Sequence, residues 1–220
     1  MSTEPNECVV LVHGLGVPAA MMRLMQRRFE KAGYRTHNFG YASTRGRIDD
    51  HAQRLRAKLH DLARDAAIGR LHVVTHSLGG VVARTALLQH PPGIGRVVML
   101  APPNRGSPVA TALYRRWPKL ARLVSVVEDL SEHEGSWINK LGSPAPHVEV
   151  GIISATHDWI VPATHNPMPG ITDQVTLRSL HGPMVWHRHI FEQSLHFIRH
   201  GRFAAVGGGV PVPMRVDASS

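Results

Sequence analysis

The sequence predicts an α/β protein, with a doubly wound, mostly parallel sheet of about six strands and helices on both faces. Three observations carry this. Short continuous apolar runs rich in β-branched residues recur at 8–12, 71–74, 96–101 and 148–154, the pattern of strands buried on both faces. Between them lie stretches with apolar residues at steps of three and four, the period of a half-buried helix. Glycine and proline joints are short, so strand, helix and strand alternate, which closes a parallel sheet between two helical layers.

Taken in order, Cys8–Val12 is the first strand, and His13-Gly14-Leu15-Gly16 follows it at once. Glycines there let the backbone turn sharply. Residues 18–32 read as a helix with Met22, Met25, Phe29 and Ala32 on one face, ended by Gly33. Residues 34–41 alternate as a second strand and its loop. The clearest helix carries Ile48, Ala52, Leu55, Leu59, Leu62 and Ala66 on one stripe, and Gly69 closes it. The strand 71–74, a helix over 79–89, and a strand at 96–101 come next. Residues 104–147 break the rhythm with Pro108, Pro118, Pro144 and Pro146 among short helical stretches. Residues 148–154 and 174–180 read as the last strands, and 187–200 as the last helix.

Composition narrows the function. The 220 residues suffice for one domain with a full core. Hydrophobic residues make up 43% and charged residues 19%, and no window of about 18 apolar residues could span a bilayer. The N-terminal stretch is polar and acidic, without the basic start and apolar run of a signal peptide, so a cytoplasmic location is the expectation. The lone Cys8 excludes an internal disulfide and reads as a buried structural thiol. A net charge of +9 would suit anionic lipid or nucleic acid. The arginines are scattered, however, with no dense run or RNA-binding signature, so solvated helix faces are the reading and no nucleic-acid partner is expected.

The chemistry centres on Thr75-His76-Ser77-Leu78-Gly79-Gly80. This matches the nucleophile elbow, small-x-Ser-x-Gly, with Thr75 where the first glycine usually stands. The serine of an elbow sits on a strained strand-to-helix turn, so the residues two away on either side must be small. The turn lifts the hydroxyl off the sheet edge and frees the next amide to bind an oxyanion. A simple helix N-cap after a strand would share these letters. A second pattern competes at the histidine-rich end, where His187-x-His189 and His196-x3-His200 have spacings that could face a metal. No carboxylate or cysteine completes a set, so no metal or organic cofactor is expected.

Four motifs in order give the chain a wider likeness: His13-Gly14-Leu15-Gly16, Thr75 to Gly79, Pro103-Asn-Arg-Gly-Ser107 and Thr156-His-Asp-Trp-Ile-Val-Pro162. Across roughly residues 8–202 the chain resembles a compact α/β-hydrolase of the small bacterial lipase and esterase group, with little or no cap domain. Asp129-Leu130 to Leu141 also looks like a stretch found in such lipases. The resemblance implies one domain over 1–202 lacking the first strands of the full fold and a substrate-access or lid region in 104–147, and the glycines and prolines of residues 203–220 read as a flexible tail.

The family's chain order is serine, acid, histidine. Carried onto this sequence, it gives Ser77 as nucleophile, Asp158 as acid and His181 as base. Asp129 and Asp173 are less well placed candidates for the acid, and His187 and His189 are alternative bases beside the last helix. His76 points the wrong way along the elbow for a base, and His13 belongs structurally to the oxyanion motif. The resemblance puts the oxyanion on the backbone amides of Leu15 and Leu78. It implies hydrolysis of an acyl ester or lipid through an acyl-enzyme. The same residues would serve acyl transfer or thioester or amide cleavage, and a non-catalytic binding protein of this fold is the reading from another class.

One surface feature stands apart. At helical spacing Val109, Leu113, Trp117 and Leu120 share a side, with Arg105, Arg115, Arg116, Lys119 and Arg122 mostly opposite. A helix packed on the sheet and a segment resting on an anionic membrane surface both fit this stripe, which Pro118 interrupts.

Overall fold

A computed structural model describes residues 6–117, 124–132, 136–142 and 147–205. Pro118, Lys119, Leu120 and Arg122 of the amphipathic stripe lie outside the described residues, as do Pro144, Pro146 and the tail from Val206 onward.

Six strands form one sheet: β1 (Glu7–Val12), β2 (Arg35–Phe39), β3 (Arg70–His76), β4 (Ile94–Leu100), β5 (Glu149–Ala155) and β6 (Asp173–Leu177). Their order is β2-β1-β3-β4-β5-β6, and every neighbouring pair is parallel. The chain steps outward from β1 to β2, crosses back to β3, and then runs in one direction to the far edge. Right-handed crossovers place helices on opposite faces when the direction reverses. Thus α1 (Arg23–Lys31) covers one face, while α2 (Ile48–Ala63) and α3 (Leu78–Leu87) cover the other.

The strand period of two divides the core accordingly. Val9, Leu11, Val74, Val98 and Leu100 pack with Met25 and Phe29 of α1 and with Phe197 and Ile198. The last two belong to α7 (Arg188–His200), the closing helix. Val10, Val12, Val73, Val97, Met99 and Ile152 pack against Leu55, Leu59, Val81 and Val82. Cys8 joins this second layer at 2% exposure. Burial pushes its thiol up to about 11, so it stays protonated and inert.

Among the described residues, three short helices follow β4: α4 (Pro108–Arg116), α5 (Ser125–Asp129) and α6 (Trp137–Lys140). Arg84 of α3 ties this insert down. Its guanidinium is buried and donates to the carbonyls of Asn104 (3.2 Å), Leu141 (2.7 Å) and Gly142 (3.0 Å). Both ends of the insert are therefore held to one helix.

Several element ends differ from the sequence expectations, and the helix expected over 18–32 is a 3₁₀ turn at Ala19–Met22 followed by α1. α2 stops at Ala63, and Ala66 is exposed. The Asp65 carboxylate accepts from the Ala67 amide and its carbonyl from the Ile68 amide, a turn that draws the backbone out of the helix. Ile68 takes the core position instead. β6 ends at Leu177 because the chain leaves the sheet there to deliver His181. α4 ends at Arg116, so Val109, Leu113 and Trp117 do not form one helical stripe; Leu113 packs on the core while Trp117 is 55% exposed. Among the described residues, no helix is long and apolar enough to cross a membrane.

Candidate active site

Ser77 stands at the C-terminal end of β3 and caps α3, with φ 52° and ψ −126°. A non-glycine residue in that region stores strain of about 1–3 kcal/mol. Its neighbours explain how the turn is tolerated. A Cβ on Gly79 would lie 2.6 Å from the Val12 carbonyl oxygen and 2.7 Å from that of His13. A Cβ on Gly80 would lie 2.8 Å from Pro102 and 3.3 Å from the Thr75 hydroxyl. The larger residue in place of the elbow's first glycine thus fits because Gly80 leaves room for it.

His181 reaches the serine from the loop after β6. Its Nε2 lies 2.9 Å from Ser77 Oγ, and its Nδ1 lies 2.6 Å from Asp158 Oδ2. The carboxylate can only accept, so Nδ1 carries the hydrogen and Nε2 accepts from the serine hydroxyl. Asp158 follows β5 and is buried with His181. Its second oxygen accepts from the amides of Ile160 (3.0 Å) and Val161 (2.8 Å). These bonds fix the plane of the carboxylate. The arrangement can draw the proton from Ser77 and stabilise the imidazolium that results.

The loop 13–16 lies against this centre. A Cβ on Gly14 would come within 3.1 Å of Ser77 Cβ. Leu15 is half-buried, and α3 opens on the Leu78 amide, one of the unpaired donors at a helix start. The Tyr41 hydroxyl donates to the His13 carbonyl at 2.8 Å, and the Gly16 amide donates to Ser43 Oγ at 3.0 Å. His13 stacks on Tyr41 at 4.4 Å and is held neutral by burial. These contacts fix the loop from behind.

The turn after β4 supports the acid in the same way. The Ser107 hydroxyl donates to the Ile160 carbonyl, the Asn104 side chain to the Asn166 carbonyl, and the Arg105 amide to the His165 carbonyl. Tyr41, Ser43 and Asn166 carry no signal in a single sequence, since each acts on a partner distant along the chain.

The family profile for the alpha/beta hydrolase family matches residues 9–211. The chain belongs to the alpha/beta hydrolase family. Sequence comparison with curated proteins gave no match. Among solved structures, the mature form of the Bacillus licheniformis lipase BlEst2 is similar with TM-score 0.69 and 19% identity, over 90% of each chain. The propeptide form of that lipase gives TM-score 0.67 at 18% identity over 83% of this chain, which spans 48% of that one. A Paleococcus ferrophilus monoacylglycerol lipase gives TM-score 0.56 at 17% identity, over 79% of this chain and 85% of that one. At such identities the likeness speaks for the fold.

The alternative acids and bases are engaged elsewhere. Asp129 pairs with Arg47 and accepts from the Ile48 amide at 3.2 Å. Asp173 accepts from the amides of Gln174 and Phe203, both at 2.8 Å. His187 and His189 are exposed at the start of α7. His196 shares a hydrogen bond with the Arg202 carbonyl. His76 faces the His181 backbone rather than the serine hydroxyl.

Proposed function

We propose that this hydrolase-family chain is a serine hydrolase that cleaves carboxylic esters through an acyl-enzyme on Ser77. The observation that carries this is the continuous relay from Ser77 Oγ to His181 (2.9 Å) to Asp158 (2.6 Å). His181 takes the serine proton as Oγ attacks the ester carbonyl. The same proton then passes to the leaving alcohol as the carbon–oxygen bond breaks. Water, deprotonated by His181, releases the acid and regenerates the serine. The backbone amides of Leu15 and Leu78 hold the oxyanion of both tetrahedral intermediates.

An apolar acyl group and a lipid-borne substrate suit the rim. Trp159 and Leu180 sit next to the acid and the base in the chain and are 71% and 52% exposed. Leu24, Val109, Trp117 and Trp186 are the other large apolar side chains exposed among the described residues. Trp186 packs beside Met21 and Arg28, and Val109 and Trp117 lie in the segment after β4. Arg105, Arg115 and Arg116 accompany them, which favours peripheral contact with an anionic membrane surface.

Hydrolysis rates over an ester series from acetate to long-chain acyl test the assignment. The expected result is saturable turnover that falls by about 10⁶-fold in Ser77→Ala. Full activity in a folded Ser77→Ala variant would overturn it.

A further inference from the structure

His76 is a buried imidazole for which ester hydrolysis by the relay has no use. It ends β3, is 3% exposed and immediately precedes Ser77. Its Nε2 lies 3.0 Å from the carbonyl oxygen of His181, and the two rings are 4.9 Å apart. A Cβ on Gly14 would stand 3.1 Å from its Nδ1. The ring therefore fills the space that Gly14 leaves open, where the loop 13–16, the elbow and the loop bearing His181 meet.

A carbonyl only accepts, so Nε2 must carry the hydrogen. The ring is also neutral: burial, then the proximity of His181, pushes His76 down to about 3. It is thus a permanent donor at working pH, and it adds no charge beside the imidazolium that forms on His181.

The sheet explains why such a donor matters. Ser77 follows β3 and His181 follows β6, and β4 and β5 stand between these strands. β6 ends at Leu177, so His181 rides on a loop outside the ladder. The His76 bond joins the residue before the nucleophile directly to the backbone of the base. It spans the two intervening strands in one step and resists relative drift of the two loops.

We propose that His76 is a positioning residue that, through its bond to the His181 carbonyl, holds the base in register with Ser77. The kinetic consequence rests on the serine-hydrolase reading; the contact itself does not. A misplacement of about 1 Å at reacting groups can cost about 100-fold in rate. His76→Phe keeps the ring volume and removes the donor. His76→Gln returns an N–H near the position of Nε2.

The test compares these two variants with the unaltered protein, alongside ring-¹⁵N NMR of the histidines. His76→Phe is expected to lower kcat about 10- to 100-fold with KM nearly unchanged, and His76→Gln to recover most of the loss. The spectrum of the unaltered protein should show His76 neutral and protonated on Nε2. A folded His76→Phe with undiminished kcat, or a His76 protonated on Nδ1, overturns the proposal. If neither variant folds, or if the unaltered protein hydrolyses no ester, the tautomer decides the contact alone. Absence of turnover in the unaltered protein counts separately, against the serine-hydrolase reading.

Discussion

The Ser107 hydroxyl donates to the carbonyl of Ile160 at 2.9 Å. The amide of Val161, in the same peptide group as that carbonyl, donates to Asp158 Oδ1 at 2.8 Å. One serine in the turn after β4 therefore fixes the peptide that fixes the acid. The same Oγ caps α4 by accepting from the Ala110 amide. Ser107→Ala removes a side-chain hydrogen bond and a helix cap, each of which contributes about 1 kcal/mol. The expected outcome is a melting point lower by about 4–8 °C, with kcat reduced several-fold. Thermal melts and initial rates check both, and a variant identical to the unaltered protein in each would remove Ser107 from the acid's support.

Acid should weaken the fold through His72. This side chain is 1% exposed. Burial, then Arg70 and Arg96, pushes it down to about 4, and its Nδ1 accepts from the Arg96 amide at 3.0 Å. The unfolded histidine titrates near 6.5, so between these values the unfolded chain binds more protons than the folded one. Stability is then fully present above about pH 6.5 and falls as pH drops towards about 4, by on the order of 2–3 kcal/mol. Melting points measured from about pH 7 to about pH 4 should decline, and His72→Gln should flatten that slope. An equally steep slope in the variant would place the acid sensitivity elsewhere.

Trp159 provides the probe for surface contact. At 71% exposure its indole should enter the interface of anionic vesicles, shifting the fluorescence to the blue. Trp159→Ala should bind such vesicles more weakly. Neutral vesicles should bind less than anionic ones, and about 1 M salt should erase the difference by screening. Indifference to vesicles of either kind would make this a hydrolase of dissolved esters.

How much of this was legible in the sequence follows from how local each constraint is. The stripe Ile48, Ala52, Leu55, Leu59 names one buried face of α2 because helix period and burial act within one segment. Ser77 is legible for the same reason, since the elbow needs small neighbours in fixed places. Thr75 looked like a weakness in that motif, yet the space beside it comes from Gly80 and Pro102, and such reciprocity does not show in a list of letters. The sequence extends β6 to Leu180 because Ser179 and Leu180 continue a strand-like alternation, whereas the strand ends at Leu177. Their position is set instead by the need to carry His181 across to β3. Ser107, Tyr41 and Ser43 are polar residues in loops, and only folding brings them to Ile160, His13 and Gly16.

The central claim is that Ser77 is the nucleophile, and a fluorophosphonate probe tests it most directly. Intact-mass and peptide mass spectrometry after brief exposure should find one probe per chain, on the peptide containing Ser77. Ser77→Ala should take up none, and His181→Ala should react far more slowly, while His187→Ala and His189→Ala react like the unaltered protein. A folded, unaltered chain that takes up no probe, or one labelled at a residue other than Ser77, would contradict the account.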